Sequence, residues 1–239
     1  MLDSHCHIDL YSNPLAVAAE AERASIDVVA VTYLPSHYAL AKQHLNGFTH
    51  VRPALGLHPL AWKDHPREVA KFVEMARDAS LIGEIGLDFS PGGRSGRDVQ
   101  ERSLAAILPS ITDRARFITL HSRGAEDEVL SHLTKAGIQK AVFHWFSGSK
   151  SQLTRILDAG HLISVNTSMT RTAKWSELIR LVPRNSVLTE TDGPFVCRGK
   201  IPDKPANVSE VLDWLADQWL CTRNNVEVIV TQNYSRVLS

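Results

Sequence analysis

His5 and His7 stand two residues apart in MLDSHCHID, inside a short apolar run. On an extended strand alternate side chains share a face, so both imidazoles point one way and Cys6 the other. Two histidines side by side are half of a metal site, although alone they read equally well as polar residues at a strand end. Further ionisable residues recur, each closing another apolar run: His58 in ALGLH, Glu84 in LIGEIGLD, His121 in FITLH, His144 in VFHW, and Glu190 with Asp192 in LTETDGP. Singly, such a histidine is an ordinary hydrogen-bonded surface residue, and an Asp-Gly-Pro turn accounts for Asp192. Leaving His58 aside, together they supply four imidazoles and at least two carboxylates, a set suited to two divalent cations sharing one bridging ligand. Glu84 lies between the two halves of the set and is the natural bridge.

The elements that must position these residues follow from periodicity. Residues 2–7, 27–34, 52–58, 80–88, 116–121, 140–145, 161–166 and 186–191 read as strands. Between them helices are expected from Pro14 to Ser25, over 36–45, from Pro66 to Ala79 with Val69, Phe72, Val73 and Ala76 on one face, from Asp98 to Leu108, and over 125–136, 149–159 and 174–182. The segment PGGRSGRD after the fourth strand carries no preference of its own. Strand then helix, eight times, predicts an α/β fold of the parallel (β/α)8 TIM-barrel type, with its chemistry at the carboxyl ends of the strands. A doubly wound open sheet satisfies the same periodicity. With no linker, low-complexity segment or long repeat, one domain over 1–239 is expected. An amphipathic helix is expected over 207–221, capped by Asn207 or Ser209. The β-branched tail 226–238 resembles a strand, yet the barrel closes better if it packs as a helix.

Composition bounds the partners. A chain of 239 residues, 44% hydrophobic and 22% charged, is that of a globular protein with a full core. Its formal net charge of zero provides no broad basic field for coating duplex nucleic acid, so a polyanionic substrate must be held locally. Cys6, Cys197 and Cys221 are odd in number and in no paired motif, which fits a reducing compartment. With no leader-like start and no membrane-length apolar run, a cytoplasmic location without membrane contact is expected.

The series DSHCHID, GLHP, GEIGLD, TLHSR, HWFSG and TETDGP, in this order, resembles the motif series of the TatD family of metal-dependent deoxyribonucleases, within the amidohydrolase superfamily of barrels. The resemblance runs from the first strand to the NYSRVL tail. The variants HCHIDLY, LGLHP, HWFSG and VLTETDGPF, with the compact length, look closest to the TatD-like nuclease component of Qat-type anti-phage defence systems. The resemblance implies that His5, His7, Glu84 and Asp192 hold one metal ion and Glu84, His121 and His144 the other, as Mg, Mn or Zn. It implies a further metal or phosphate contact for Glu190, a less fixed role for His58 in the GxHP motif, and a phosphate clamp for Arg123, which otherwise reads as a solvated arginine. Departures from the family pattern fall at Gly124, at FSPGGRSGRD, at Trp145 and at Asn166-Thr167. They bear on substrate preference more than on chemistry.

The implied reaction is phosphodiester hydrolysis at DNA, by exonuclease action on single-stranded ends, with Asp192 and Glu84 as catalytic carboxylates and Asp192 taking the proton of the attacking water. Trp145, Phe195 and Phe89 are placed where a terminal base could stack, although packing explains each equally. Two other readings compete: an amidohydrolase acting on a small ester, amide or phosphate, and a metal-stabilised subunit of a defence complex without turnover. The intact ligand set counts against the last, since a structural site needs no open coordination position.

Overall fold

In the computed structural model, which describes residues 1–113 and 117–239, eight parallel strands follow one another around a nearly closed barrel in sequence order. They are β1 (Leu2–Cys6), β2 (Asp27–Val31), β3 (Val51–Leu57), β4 (Leu81–Gly86), β5 (Phe117–His121), β6 (Val142–Phe143), β7 (Leu162–Val165) and β8 (Val187–Thr189). Arg116, expected to begin the fifth strand, lies outside the described residues. The β8–β1 seam is closed just above the strands: Thr189 Oγ1 donates to Leu2 O (2.5 Å), Asp192 N to His5 O (2.9 Å) and His7 N to Gly193 O (2.8 Å). These bonds pin the carriers of His5, His7 and Asp192 to one another. The doubly wound sheet is thereby set aside.

The helices form the outer ring: α1 (Pro14–Arg23), α2 (Pro35–His44), α3 (His65–Met75), α4 (Arg97–Ile107), α5 (Glu126–Ala136) and α6 (Lys150–Asp158). Their starts have local causes. Asn13 accepts from Ala16 N ahead of Pro14, and Ser149 forms a capping box with Gln152. The helix expected over 174–182 is α8 (Ala173–Leu178), capped by Thr172 and continued by a 3-10 turn over Ile179–Leu181, and a four-residue turn α7 (Thr167–Thr170), capped by Asn166, precedes it. A small hairpin, β9 (Cys197–Arg198) with β10 (Ile201–Pro202), follows the last barrel strand. Neither Asp98 nor Ser209 caps a helix, because α4 starts after Gly96 and α9 (Val208–Trp219) after Asn207. Asn207 turns its side chain back to accept from Lys204 N (2.8 Å). The β-branched tail is helix α10 (Arg223–Leu238), burying Val226, Val230, Tyr234 and Val237 on one stripe. Asn233 Nδ2 donates from it to Arg184 O and Val187 O (both 2.8 Å), so tertiary packing overrides strand propensity there.

Glycines set the close approaches that aim the site. A Cβ at Gly56 would meet Thr32 O at 1.6 Å and Glu84 N at 2.9 Å. Its absence lets β2 and β4 touch across β3, with Glu84 N donating to Thr32 O (3.4 Å). Gly96 lies against the Trp62 ring, where a Cβ would come within 2.3 Å, so the PGGRSGRD segment is a packed connection rather than a free loop.

His161, at the foot of β7, is buried and accepts from Ala141 N through Nδ1 (3.2 Å). Burial pushes its pKa down to about 4 from 6.5. Below pH about 6.5 the unfolded chain takes up a proton that the folded chain refuses, so stability falls as the pH drops from about 6.5 to about 4. At about 1.4 kcal/mol per unit the loss is at most about 3.5 kcal/mol. We expect urea midpoints measured across this window to fall less steeply for His161→Asn, which keeps an acceptor but cannot charge. Equal slopes for variant and wild type would refute this assignment.

Candidate metal and active site

Glu84, near the end of β4, divides its carboxylate between two groups of histidines. Oε1 lies 2.6 Å from His121 Nδ1 and 2.7 Å from His144 Nε2. Oε2 lies 3.2 Å from His7 Nε2, 3.2 Å from His58 Nε2 and 3.4 Å from His5 Nε2. Asp192 Oδ1 faces His7 and His5 Nε2 at 3.6 and 3.7 Å. The residues expected from strand ends β1, β4, β5, β6 and β8 therefore meet around one carboxylate, at the floor of a cleft of about 430 Å³. Ligand atoms of His5, His7 and Glu84, of His5, His144 and Asp192, and of His58, Glu84 and His121 fall within 4.8 Å of one another in three overlapping sets.

The far side of each imidazole decides what its near side can offer, since a neutral ring carries one N–H. Thr119 Oγ1 meets His5 Nδ1 (2.8 Å) and Asp88 Oδ2 meets His121 Nε2 (2.8 Å), partners that can take up the single N–H of each neutral ring and so let the inward nitrogen present a lone pair to a cation. Glu190 lies behind His144 Nδ1 at 3.8 Å, a charge contact rather than a hydrogen bond. His58 differs: its Nδ1 accepts from Leu60 N (3.1 Å), so its inward Nε2 carries the proton. His58 thus donates to Glu84 and has no inward lone pair, unlike the histidines that can offer one to a cation.

The donor set fits divalent cations. His5 Nε2 and Asp192 Oδ1 are buried and have no hydrogen-bond partner, although they face each other. An unsatisfied buried polar atom costs about 1–3 kcal/mol. A cation bonded to two such ligands at about 2.0–2.2 Å holds them about 3–4 Å apart, which matches the spacing here. Electrostatics agree. Burial raises the Glu84 carboxyl, but His58, His144, His121 and His5 outweigh it and hold it well below the usual carboxylate range. Burial lowers His121 and His144, yet Glu84 raises both above the usual histidine value, with Asp88 helping at His121 and Glu190 at His144. Their protons stand where cations would otherwise sit. Burial, with His144 nearby, pushes His5 down to about 3, and burial pushes His58 down to about 4. Burial pushes Asp192 up to about 7, with Glu84 and Glu190 adding to the rise against His144 and His7.

The remaining expected residues sort by placement. Arg123 is exposed at the wall of the cleft, and among the described residues no carboxylate lies within ion-pairing distance of its guanidinium. Glu190 is fully buried behind His144; its oxygens accept from Trp145 N (3.0 Å), Asn166 Nδ2 (3.0 Å) and Ser164 Oγ, and it does not line the cleft. Trp145 and Phe195 are 36% and 49% exposed at the mouth, whereas Phe89 lies under the Arg97 guanidinium away from it. Sequence reasoning missed Tyr33, which stacks on His58 (4.0 Å between centroids) and lines the cleft. It missed Asp3, which accepts from Thr191 N (2.9 Å), Thr191 Oγ1 (2.5 Å) and His5 N (3.3 Å) and so ties β1 to the Asp192 turn. It also missed Asp88, although the GEIGLD run ends on it.

A nearly closed (β/α)8 barrel with imidazoles and carboxylates gathered at its carboxyl rim defines a metal-dependent hydrolase. The sequence model of the family described as TatD related DNase matches residues 2–239, and the chain belongs to that family. It is 28% identical to the human protein named Deoxyribonuclease TATDN3, over 98% of this chain and 92% of that one. It is 29% identical to a Klebsiella pneumoniae protein named 3'-5' ssDNA/RNA exonuclease TatD, over 72% of this chain and 73% of that one. Among solved structures, YJJV, a TatD homolog from Escherichia coli, superposes with a TM-score of 0.85 at 24% identity, covering 100% of this chain and 97% of the other. The protein is accordingly a metal-dependent hydrolase of the TatD deoxyribonuclease family, and among the described residues no helix is long and apolar enough to cross a membrane.

Proposed function

We propose that this protein is an exonuclease that hydrolyses phosphodiester bonds at single-stranded DNA ends, with two divalent ions (Mg, Mn or Zn) held by His5, His7, Glu84 and Asp192 and by Glu84, His121 and His144. The observation that carries the reading is Glu84, whose two oxygens face two separate groups of imidazoles. Bound divalent ions supply a water of lowered pKa and charge stabilisation at the phosphoryl oxygens. The chain's own residues do the rest. Asp192, in a buried setting that raises its proton affinity toward neutrality, accepts the proton of the attacking water. His58, neutral and with its proton on Nε2, donates a hydrogen bond into the cleft and holds the Glu84 oxygen. Arg123 clamps a phosphate oxygen, and Trp145, Phe195 and Tyr33 offer faces to terminal bases. Glu190 keeps His144 oriented from behind.

A cleft of about 430 Å³ is the size of a small-molecule site, within roughly 300–1,000 Å³. It suits a strand end rather than continuous duplex. With Arg123 the one arginine or lysine lining it among the described residues, salt dependence should be shallow, because few phosphates are neutralised. The expected result is rapid shortening of a single-stranded oligonucleotide and no loss of a closed circular duplex. Equal rates on the two would overturn the end-directed reading. The same small cleft and zero net charge favour, as the second reading, a hydrolase of small esters, amides or phosphates. Turnover of nitrophenyl esters with every oligonucleotide left intact would select it. The proposal extends to a single domain over 1–239, to a cytoplasmic setting in keeping with three free cysteines, and to service beside Qat-type defence components against phage.

A further inference from the structure

Asp88 sits four residues beyond Glu84, just past the end of β4, and is buried. Its two oxygens have separate tasks. Oδ1 accepts from Ser90 N (2.8 Å), and Oδ2 meets His121 Nε2 (2.8 Å). Its backbone is held as firmly: Asp88 N donates to Gln100 Oε1 (2.8 Å), while Gln100 Nε2 donates to Gly93 O (2.8 Å). Gly93 packs so closely that a Cβ would fall 2.1 Å from Asp88 O. The segment between β4 and α4 is therefore folded around Asp88, with the fully buried Gln100 reaching back from α4 as its anchor.

That rigidity has a chemical consequence at His121. A carboxylate is an acceptor only, so an imidazole nitrogen hydrogen-bonded to Asp88 must carry the proton; Nδ1, 2.6 Å from Glu84 Oε1, carries a second proton only until a cation takes its place. We propose that Asp88 is a positioning residue that fixes His121 as the Nε2–H tautomer, so that the Nδ1 lone pair points at the site shared with Glu84. The inference rests on the reading of His121 as a metal ligand. It adds the residue that selects which nitrogen does the ligating, and traces that selection to Gln100. Outer carboxylate partners of ligating histidines typically matter by about 10–100-fold in metal affinity.

Asp88→Asn tests this sharply, because the change inverts the partner's character. The asparagine oxygen stays on Ser90 N and its NH2 then faces His121 Nε2 as a donor, which favours the proton on Nδ1. Histidine nitrogen chemical shifts read the tautomer without reference to activity, and Zn(II) affinity is measured by competition with a chromophoric chelator. At a pH where the His121 ring is neutral, we expect Nε2–H in the wild type, a shift toward Nδ1–H in Asp88→Asn, and about 10–100-fold weaker Zn(II) binding. Gln100→Ala, which leaves every site residue in place, should weaken Zn(II) binding less than Asp88→Asn. A neutral His121 ring that carries its one proton on Nδ1 in the wild type overturns the inference even if both variants fail to fold. Unchanged tautomer and affinity in folded Asp88→Asn overturn it while leaving the metal reading intact. A wild-type protein that binds no Zn(II) removes the metal reading and this inference together.

Discussion

Asp192→Asn should yield a folded protein that keeps most of its metal and its affinity for nucleic acid while losing turnover by about two to four orders of magnitude, the usual contribution of a general base. The asparagine retains size and one coordinating oxygen but has no proton affinity to use. The backbone at this position is set independently of the side chain: Asp192 N donates to His5 O (2.9 Å), and Asp192 O accepts from Phe195 N (2.9 Å). The turn is further held by Asp3 through Thr191, and by Asp203, whose carboxylate accepts from Arg198 Nε (3.1 Å) and Thr167 Oγ1. None of those bonds involves the Asp192 carboxylate, so the TETDGP turn should survive its replacement. Single-turnover rates on a labelled oligonucleotide, read beside metal content and a thermal midpoint, check the expectation. Turnover near that of the wild type would reject Asp192 as the base. An unfolded variant would show that the aspartate serves mainly to hold its turn. If the protein serves in a Qat-type complex as proposed, the same variant should co-purify with the other components while leaving phage unrestrained.

Much of this site was legible because its residues obey strand periodicity. His5 and His7 share a face by a spacing of two, and His121 ends an apolar run whose length marks the strand end. What stayed hidden depends on contacts between distant segments. Tyr33 follows the apolar run of β2 and reads as core until His58 is seen stacked on it. Asp88 gains its meaning only when the segment after it closes on Gln100, and PGGRSGRD carries no local propensity to announce that closure. Glu190 and Asp192 stand two apart in TETDGP and on an extended strand would share a face, yet Asp192 leaves the extended region at φ +50°, and one lies behind His144 while the other reaches the cleft. β6 is shorter than its apolar run because Ala141 N bonds to the His161 ring rather than to a ladder partner. Local pattern also failed for α10, where β-branched residues form a helix because their buried stripe is what the barrel needs covered.

Replacing Glu84 should have a larger effect than any other single change, because it alone touches both halves of the site. Five imidazoles lie within 3.4 Å of its two oxygens, and no other carboxylate in the cleft approaches more than two of them that closely: Asp192 stands 3.6 Å or more from His5 and His7, and Asp88 reaches only His121. Glu84→Gln removes the negative charge and turns one oxygen into an amide that donates hydrogen bonds, so one side of it would meet a bound cation, or the His58 N–H, with a donor where an acceptor is needed. His121 and His144, whose proton affinity Glu84 raises, should then shed their protons at a lower pH. For the shared-ligand arrangement, wild-type protein should take up about two divalent ions per chain and release them to chelator. The variant should hold at most about one, with hydrolysis below detection. Stability need not fall in step, since the core beneath the rim is apolar and intact. Elemental analysis of wild type and variant after metal-replete growth, followed by titration calorimetry, separates the outcomes. A variant that still binds two ions would show that Glu84 is not the bridge and that the two clusters stand independently.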